Sequence, residues 1–173
     1  MLADSQAVLD DRMSPREAAV LEKRMERFNA NALRVASFLE GHHGVTRTYF
    51  NALASHRSHS VAKRILKGPG SVIGFTLKRD TLQGLRVFYD SLLPGIHKAP
   101  SLGSDETLLC PYTLLTHYTS SDEQLADIGL PRFLLRIAVG CERDIGPVIV
   151  SLDEALSASV HGGVVPAASC PGA

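Results

Sequence analysis

The hydrophobic positions of this chain change period several times, and each change marks an element. Leu21, Met25, Phe28, Ala32, Val35, Ala36 and Leu39 recur every three or four residues, the stripe of one long amphipathic helix. Its start is signalled by Ser14-Pro15-Arg16-Glu17: a hydroxyl for the cap, a proline at the first helical position, and a glutamate to close a capping box. Gly41 and Gly44 punctuate its end. Val45 to Phe50 then alternates and is rich in β-branched and aromatic residues, which predicts a strand. Ser60 to Lys67 predicts a short helix stopped by Gly68-Pro69-Gly70, and Ser71 to Leu77 the next strand. Thr81 to Leu92 predicts a helix ended by Pro94-Gly95, and Ile96 to Tyr118 is expected to be mostly loop with short strand pieces. Ser120 or Ser121 can cap a brief helix to Ile128. Leu134 to Val139 reads as the last strand and Asp144 to Leu156 as the last helix. From Ser157 onward Gly, Ala, Ser, Pro and Val follow without periodicity. The expectation is therefore a folded unit over 1–157 and a disordered tail over 158–173.

A long helix followed by alternating strands and helices predicts an α/β fold (an α+β two-layer sandwich): a small sheet covered by helices, with the long helix leading. At 173 residues the chain can build one core and is short for two. The long helix starts almost at once, and nothing before it reads as a second domain, the arrangement expected for the last part of something larger.

Charge narrows the function classes. Eighteen Lys and Arg balance 18 Asp and Glu with no basic stripe, so nucleic acid is not an expected partner. No apolar run approaches the roughly 20 residues of a membrane span, and Met1-Leu-Ala-Asp4 lacks a basic-then-apolar leader, so the expected location is cytoplasmic, without membrane partners. The 3 cysteines, Cys110, Cys141 and Cys170, are widely spaced and read as reduced thiols.

One residue breaks the apolar pattern in a way that carries chemistry. Arg136 sits inside Leu134-Leu-Arg-Ile-Ala-Val-Gly140, and a guanidinium buried in a strand requires an anion. Its planar fork suits a carboxylate, such as that of an amino acid, although half of a structural ion pair is the competing reading. Ser101, in the Gly-containing loop Ser101-Leu-Gly-Ser104, offers a hydroxyl that could touch a ligand or cap a turn. Thr116-His117 could contact a ligand or serve an interface. The remaining candidates have plainer readings. His42-His43 and His56-x-x-His59 lack the carboxylates or cysteines of a metal site and read as surface residues, so no metal is expected. Cys110 before Pro111 reads as packed rather than nucleophilic, and Gly68-Pro-Gly70 as a turn rather than a phosphate loop. Arg24, Arg27 and Arg34, among Glu22, Glu26 and Glu40, read as a solvated helix face.

Taken together, four segments resemble the C-terminal domain of the Cys/Met-metabolism enzymes that use pyridoxal 5'-phosphate (PLP), the transsulfuration enzymes. Arg24-Met-Glu-Arg-Phe-Asn-Ala-Asn-Ala-Leu33 resembles the family's domain-linking helix, and Ser101-Leu-Gly-Ser-Asp-Glu106-Thr-Leu108 its Ser-Leu-Gly-Gly-x-Glu-Ser-Leu loop. Thr116-His117 resembles its Thr-His pair, and Leu135-Arg136-Ile-Ala-Val-Gly140-Cys-Glu142 its final strand motif. The correspondence runs from about Ser14 to Leu156 in the family's order. Pro100, where many members have glutamate, and Leu109-Cys-Pro-Tyr-Thr-Leu-Leu-Thr-His-Tyr118 look closest to the fungal-type cystathionine γ-synthase branch.

The resemblance implies a C-terminal small domain of the type I PLP-enzyme fold. It implies substrate-binding roles for Arg136, as α-carboxylate clamp, for Ser101 in the same pocket, and for Thr116 beside substrate and cofactor. The implied substrate is a sulfur amino acid or an activated homoserine, and the implied partner a cofactor domain or further copies in an oligomer. In the family the cofactor domain precedes the long helix and holds the lysine that binds PLP. None of Lys23, Lys63, Lys67, Lys78 and Lys98 matches that motif, so no catalytic residue is expected in this chain, its cofactor domain is expected to be missing, and the chain alone is expected to be inactive. The alternative is a truncated, non-catalytic remnant or interaction subunit that associates with an intact relative.

Overall fold

The computed structural model describes residues 14–161. Helix α1 (Pro15–Gly41) starts as its sequence dictates: Ser14 Oγ accepts from the Glu17 N–H while the Glu17 carboxylate accepts from the Ser14 N–H, the reciprocal capping box. Only its second half is packed. Ser14 to Arg27 are exposed, whereas Phe28, Asn31, Ala32, Val35, Ala36 and Leu39 are buried.

Strand β1 (Val45–Tyr49), helix α2 (His59–Ile65), strand β2 (Val72–Leu77) and helix α3 (Leu82–Asp90) follow. Thr81 caps α3 by accepting from the Gly84 N–H at 3.0 Å. Two short strands, β3 (His97–Lys98) and β4 (Leu108–Cys110), lead into helices α4 (Tyr112–Thr116) and α5 (Asp122–Asp127). Strand β5 (Leu135–Ala138) and helix α6 (Gly146–His161) complete the described fold.

The strands form one five-stranded sheet in the order β1-β2-β5-β4-β3, with β5 central and antiparallel to both neighbours. Residues paired across a sheet share a face, so register decides what is buried. Ile73 and Leu109 both pair with Ile137, and Phe75 pairs with Leu135. All five are wholly buried under α1, α3 and α6, in one core with Val35, Leu39, Phe88, Leu152 and Leu156. Burying one such side chain contributes about 1.5–3 kcal/mol, so this face drives folding. On the opposite face the register lines up Tyr49, Gly74, Arg136 and Cys110 across four strands.

The structure corrects the expected elements in two places. Helix α6 runs to His161, past Ser157, where periodicity fails in the sequence. Ser159 is fully buried and its hydroxyl donates to the Leu156 carbonyl at 2.7 Å, so a small polar residue is satisfied without leaving the helix. The rest of the expected tail, residues 162–173, lies outside the described residues. The second correction is α4, inside the stretch expected as loop and strand pieces. Five residues after a proline are too few to display a helical period. Ser121, rather than Ser120, caps α5, with a full capping box to Gln124.

Candidate functional site around Arg136

Arg136 stands on the outer face of the central strand, half-buried, between Gly74 of β2 and Cys110 of β4. Its Nη2 donates to the carbonyls of Pro100 at 2.6 Å and Ser101 at 3.2 Å. Its guanidinium carbon lies 5.5 Å from the centre of the Tyr112 ring. Nε is buried and has no hydrogen-bond partner. Among the described residues Arg136 forms no ion pair; the pairs are Arg24–Asp105, His42–Asp153, His97–Glu106 and Arg132–Asp122. The structural ion-pair reading thus finds no partner in this part of the chain. What remains is a cation tethered at one nitrogen by neutral carbonyls, with donor capacity unused.

The loop that supplies those carbonyls is pinned at its far end. Thr107, fully buried, donates both its backbone N–H and its hydroxyl to Glu142 Oε1, each at 2.6 Å. Its hydroxyl accepts from the Gly140 N–H at 3.0 Å. A Cβ at Gly140 would lie 2.3 Å from the Asp105 carbonyl oxygen, so only glycine lets the loop backbone approach β5 this closely. Helix α1 joins in through Asn31, whose Nδ2 donates to the carbonyls of Gly140 and Glu142 at 3.2 and 3.0 Å. Arg24, on the expected solvated face, pairs there with the exposed Asp105. A hydrogen bond from Cys141 Sγ at 3.2 Å and the Arg24 charge hold the Asp105 carboxyl below the usual carboxylate range. The glycine and glutamate of the Val139-Gly-Cys-Glu142 motif therefore position the loop rather than face a ligand.

The other residues singled out in the sequence fall unevenly around this centre. Ser101 is exposed and reaches Arg136 through its carbonyl. Thr116 is exposed at the end of α4 and donates its hydroxyl to the Tyr112 carbonyl at 2.9 Å. The His117 ring lies 6.4 Å from the Tyr112 ring, edge on. Cys110 is 2% exposed; burial pushes its thiol pKa up, with the Arg136 charge opposing, so it is packed and protonated. Three of the four paired histidines make local backbone contacts. His42 Nδ1 accepts from the Gly44 N–H, His56 Nδ1 from the Ser58 N–H, and His59 Nδ1 lies 3.2 Å from the Asn51 carbonyl. Among the described residues no cluster of ligands could hold a metal ion. Tyr112 was not predicted as a site residue. Its one sequence signal is position, directly after the Cys110-Pro111 turn whose first residue pairs with Arg136.

PLP requires a lysine within a sheltered site and donors for its phosphate. Lys23, Lys63, Lys67, Lys78 and Lys98 are all exposed, and none takes part in the hydrogen bonds around Arg136. Lys98 lies over the Tyr89 ring at 4.9 Å. The described residues do not fit the group.

Residues 15–157 match the family model described as Cys/Met metabolism PLP-dependent enzyme. The chain is 32% identical over 142 residues to a cystathionine γ-lyase of Dictyostelium discoideum, covering 79% of this chain and 34% of the relative. It is 32% identical over 148 residues to a cystathionine γ-synthase of Mycobacterium leprae, covering 86% and 37%. The crystal structure of cystathionine γ-synthase from Xanthomonas oryzae pv. oryzae in complex with cystathionine superposes with a TM-score of 0.75 at 32% identity, over 84% of this chain and 37% of that one. The chain thus spans about a third of the length of the curated relatives it matches. With residues 15–157 matching the family model and the fold shared with a solved member, this chain belongs to the Cys/Met-metabolism PLP-dependent enzyme family.

Proposed function

We propose that this chain forms the substrate-carboxylate-binding part of a PLP-dependent transsulfuration enzyme, of the cystathionine γ-synthase or γ-lyase kind, acting on a sulfur amino acid or activated homoserine. The observation that carries the reading is Arg136: a half-buried guanidinium without a carboxylate among the described residues, and with Nε buried and unpaired. Arg136 binds the α-carboxylate through its fork, and Ser101, whose backbone already meets the guanidinium, adds its hydroxyl to the same group. Thr116, at the end of α4, borders the bound amino acid in this reading. Holding the carboxylate at a fixed place on a rigid strand orients the bond at the α-carbon for reaction. PLP, when bound to a complete enzyme, supplies the electron sink.

The partner in this reading is a lysine-bearing cofactor domain, or further copies in an oligomer, and the exposed first half of α1 is the surface available for it. That same surface favours the second reading, a non-catalytic subunit that binds an intact relative: Val20, Leu21 and Met25 are 62%, 45% and 42% exposed.

The test assembles the chain with a related cofactor domain, by fusion or co-expression, and titrates L-cystathionine. Arg136→Ala is expected to weaken binding by about 2–5 kcal/mol, Arg136→Lys to be nearly as poor, and Ser101→Ala to cost on the order of 1 kcal/mol. PLP content should be unchanged. Intact affinity in folded Arg136→Ala protein overturns the clamp.

A further inference from the structure

We propose that Tyr112 is the positioning residue of the Arg136 clamp: its ring sets the plane and reach of the guanidinium before a carboxylate arrives. The proposal rests on reading Arg136 as that clamp. The hydrogen bonds to Pro100 and Ser101 both use Nη2, so the rest of the fork is held by no hydrogen bond among the described residues. A fork that must present two parallel N–H groups needs a second constraint. The Tyr112 ring supplies it, 5.5 Å from the guanidinium carbon, within the range in which an aromatic face attracts a cation.

The ring is itself held. Cys110 pairs with Arg136 across β4 and β5, and Pro111 turns the chain so that Tyr112 opens α4 against the same strand. Thr113, fully buried, donates its hydroxyl to the Pro131 carbonyl at 2.8 Å, which locks α4 one residue from the ring. His117, one turn on, meets the ring edge-on. Arg136 thus rests on a platform fixed by covalent turn, buried anchor and aromatic neighbour. Tyr112 touches no reacting atom in this scheme; it acts through Arg136.

The experiment uses the full chain with nitrogen-15 arginine, assembled with an unlabelled related cofactor domain, and follows the Arg136 Nε–H resonance while L-cystathionine is added. In the wild type the ring current shifts this proton upfield, and L-cystathionine moves it further. Tyr112→Phe should retain both behaviours. Tyr112→Leu should lose the upfield shift and bind L-cystathionine roughly tenfold more weakly, within the range that a half-buried cation–ring contact supplies. Tyr112→Met, which keeps bulk without a ring, should behave as Tyr112→Leu and carries the test if that variant does not fold. Wild-type affinity in a folded Tyr112→Leu or Tyr112→Met chain overturns the positioning role alone. A wild-type Arg136 resonance indifferent to L-cystathionine overturns the clamp, and the role of Tyr112 with it.

Discussion

Thr107 donates twice to one oxygen, Glu142 Oε1, through its backbone N–H and its hydroxyl, at 2.6 Å each. The pair joins the end of the 101–107 loop to the segment following β5, and the second carboxylate oxygen of Glu142 is buried without a partner. A buried carboxylate with an unused oxygen costs free energy, and these two short bonds are what offset it.

Glu142→Ala is therefore expected to lower stability by about 1.5–3 kcal/mol, the range for hydrogen bonds to a charged group. Because the loop also carries the Pro100 and Ser101 carbonyls, Arg136 should become more mobile. Urea unfolding gives the first quantity and amide hydrogen exchange at 101–107 the second. A variant as stable as wild type, with unchanged exchange, would remove Glu142 from the role of anchor.

His42 makes stability depend on pH. Its side chain is 7% exposed, its Nδ1 accepts from the Gly44 N–H at 2.9 Å, and its Nε2 lies 3.2 Å from Asp153 on α6. Burial, then the neighbouring His43, hold its pKa below the ordinary imidazole value of 6.5, with Asp153 opposing. A depressed folded value means that the unfolded chain binds the proton more readily. The stabilisation is thus complete above 6.5 and is lost as pH falls through the folded value. Thermal melts of wild type and His42→Asn between about pH 7 and about pH 5 check this, the wild type showing the steeper acid loss. Equal slopes would show that another group controls the acid side.

PLP added to this chain is expected to label lysines without preference. Borohydride reduction followed by peptide mapping should find partial modification spread over Lys23, Lys63, Lys67, Lys78 and Lys98, since all are exposed. Stoichiometric labelling at one lysine would contradict this and reopen cofactor binding by the chain itself.

The chain is expected to self-associate as concentration rises, because Val20, Leu21 and Met25 lie exposed on a helix whose second half is core. Light scattering should show the mean mass increasing, and Leu21→Glu with Met25→Glu should suppress it. A monomer at high concentration would mean that this stripe is adequately solvated.

Local rules written in the residues themselves settled most elements of this protein. The Ser14-x-x-Glu17 box, the stripe from Phe28 to Leu39 and the alternation through β1 depend on neighbours a few positions away, so the sequence discloses them. The same holds for Arg136 as an anomaly, since a charge in an apolar strand is conspicuous without coordinates. What it meets was a matter for the tertiary structure. Tyr112 comes under Arg136 only because β4 pairs with β5 in the register that sets Cys110 opposite it. Glu142 becomes a loop anchor only because Gly140 lets the Asp105 backbone close in. Arg24 gains an ion-pair partner on its solvated face only because Asp105 arrives from 81 residues away. Helix α6 passes its own loss of periodicity because packing buries Ser159. Period and capping are short-range properties of the chain; register, ring-on-cation contact and close backbone approach join residues far apart in sequence, and they exist only after the chain has folded.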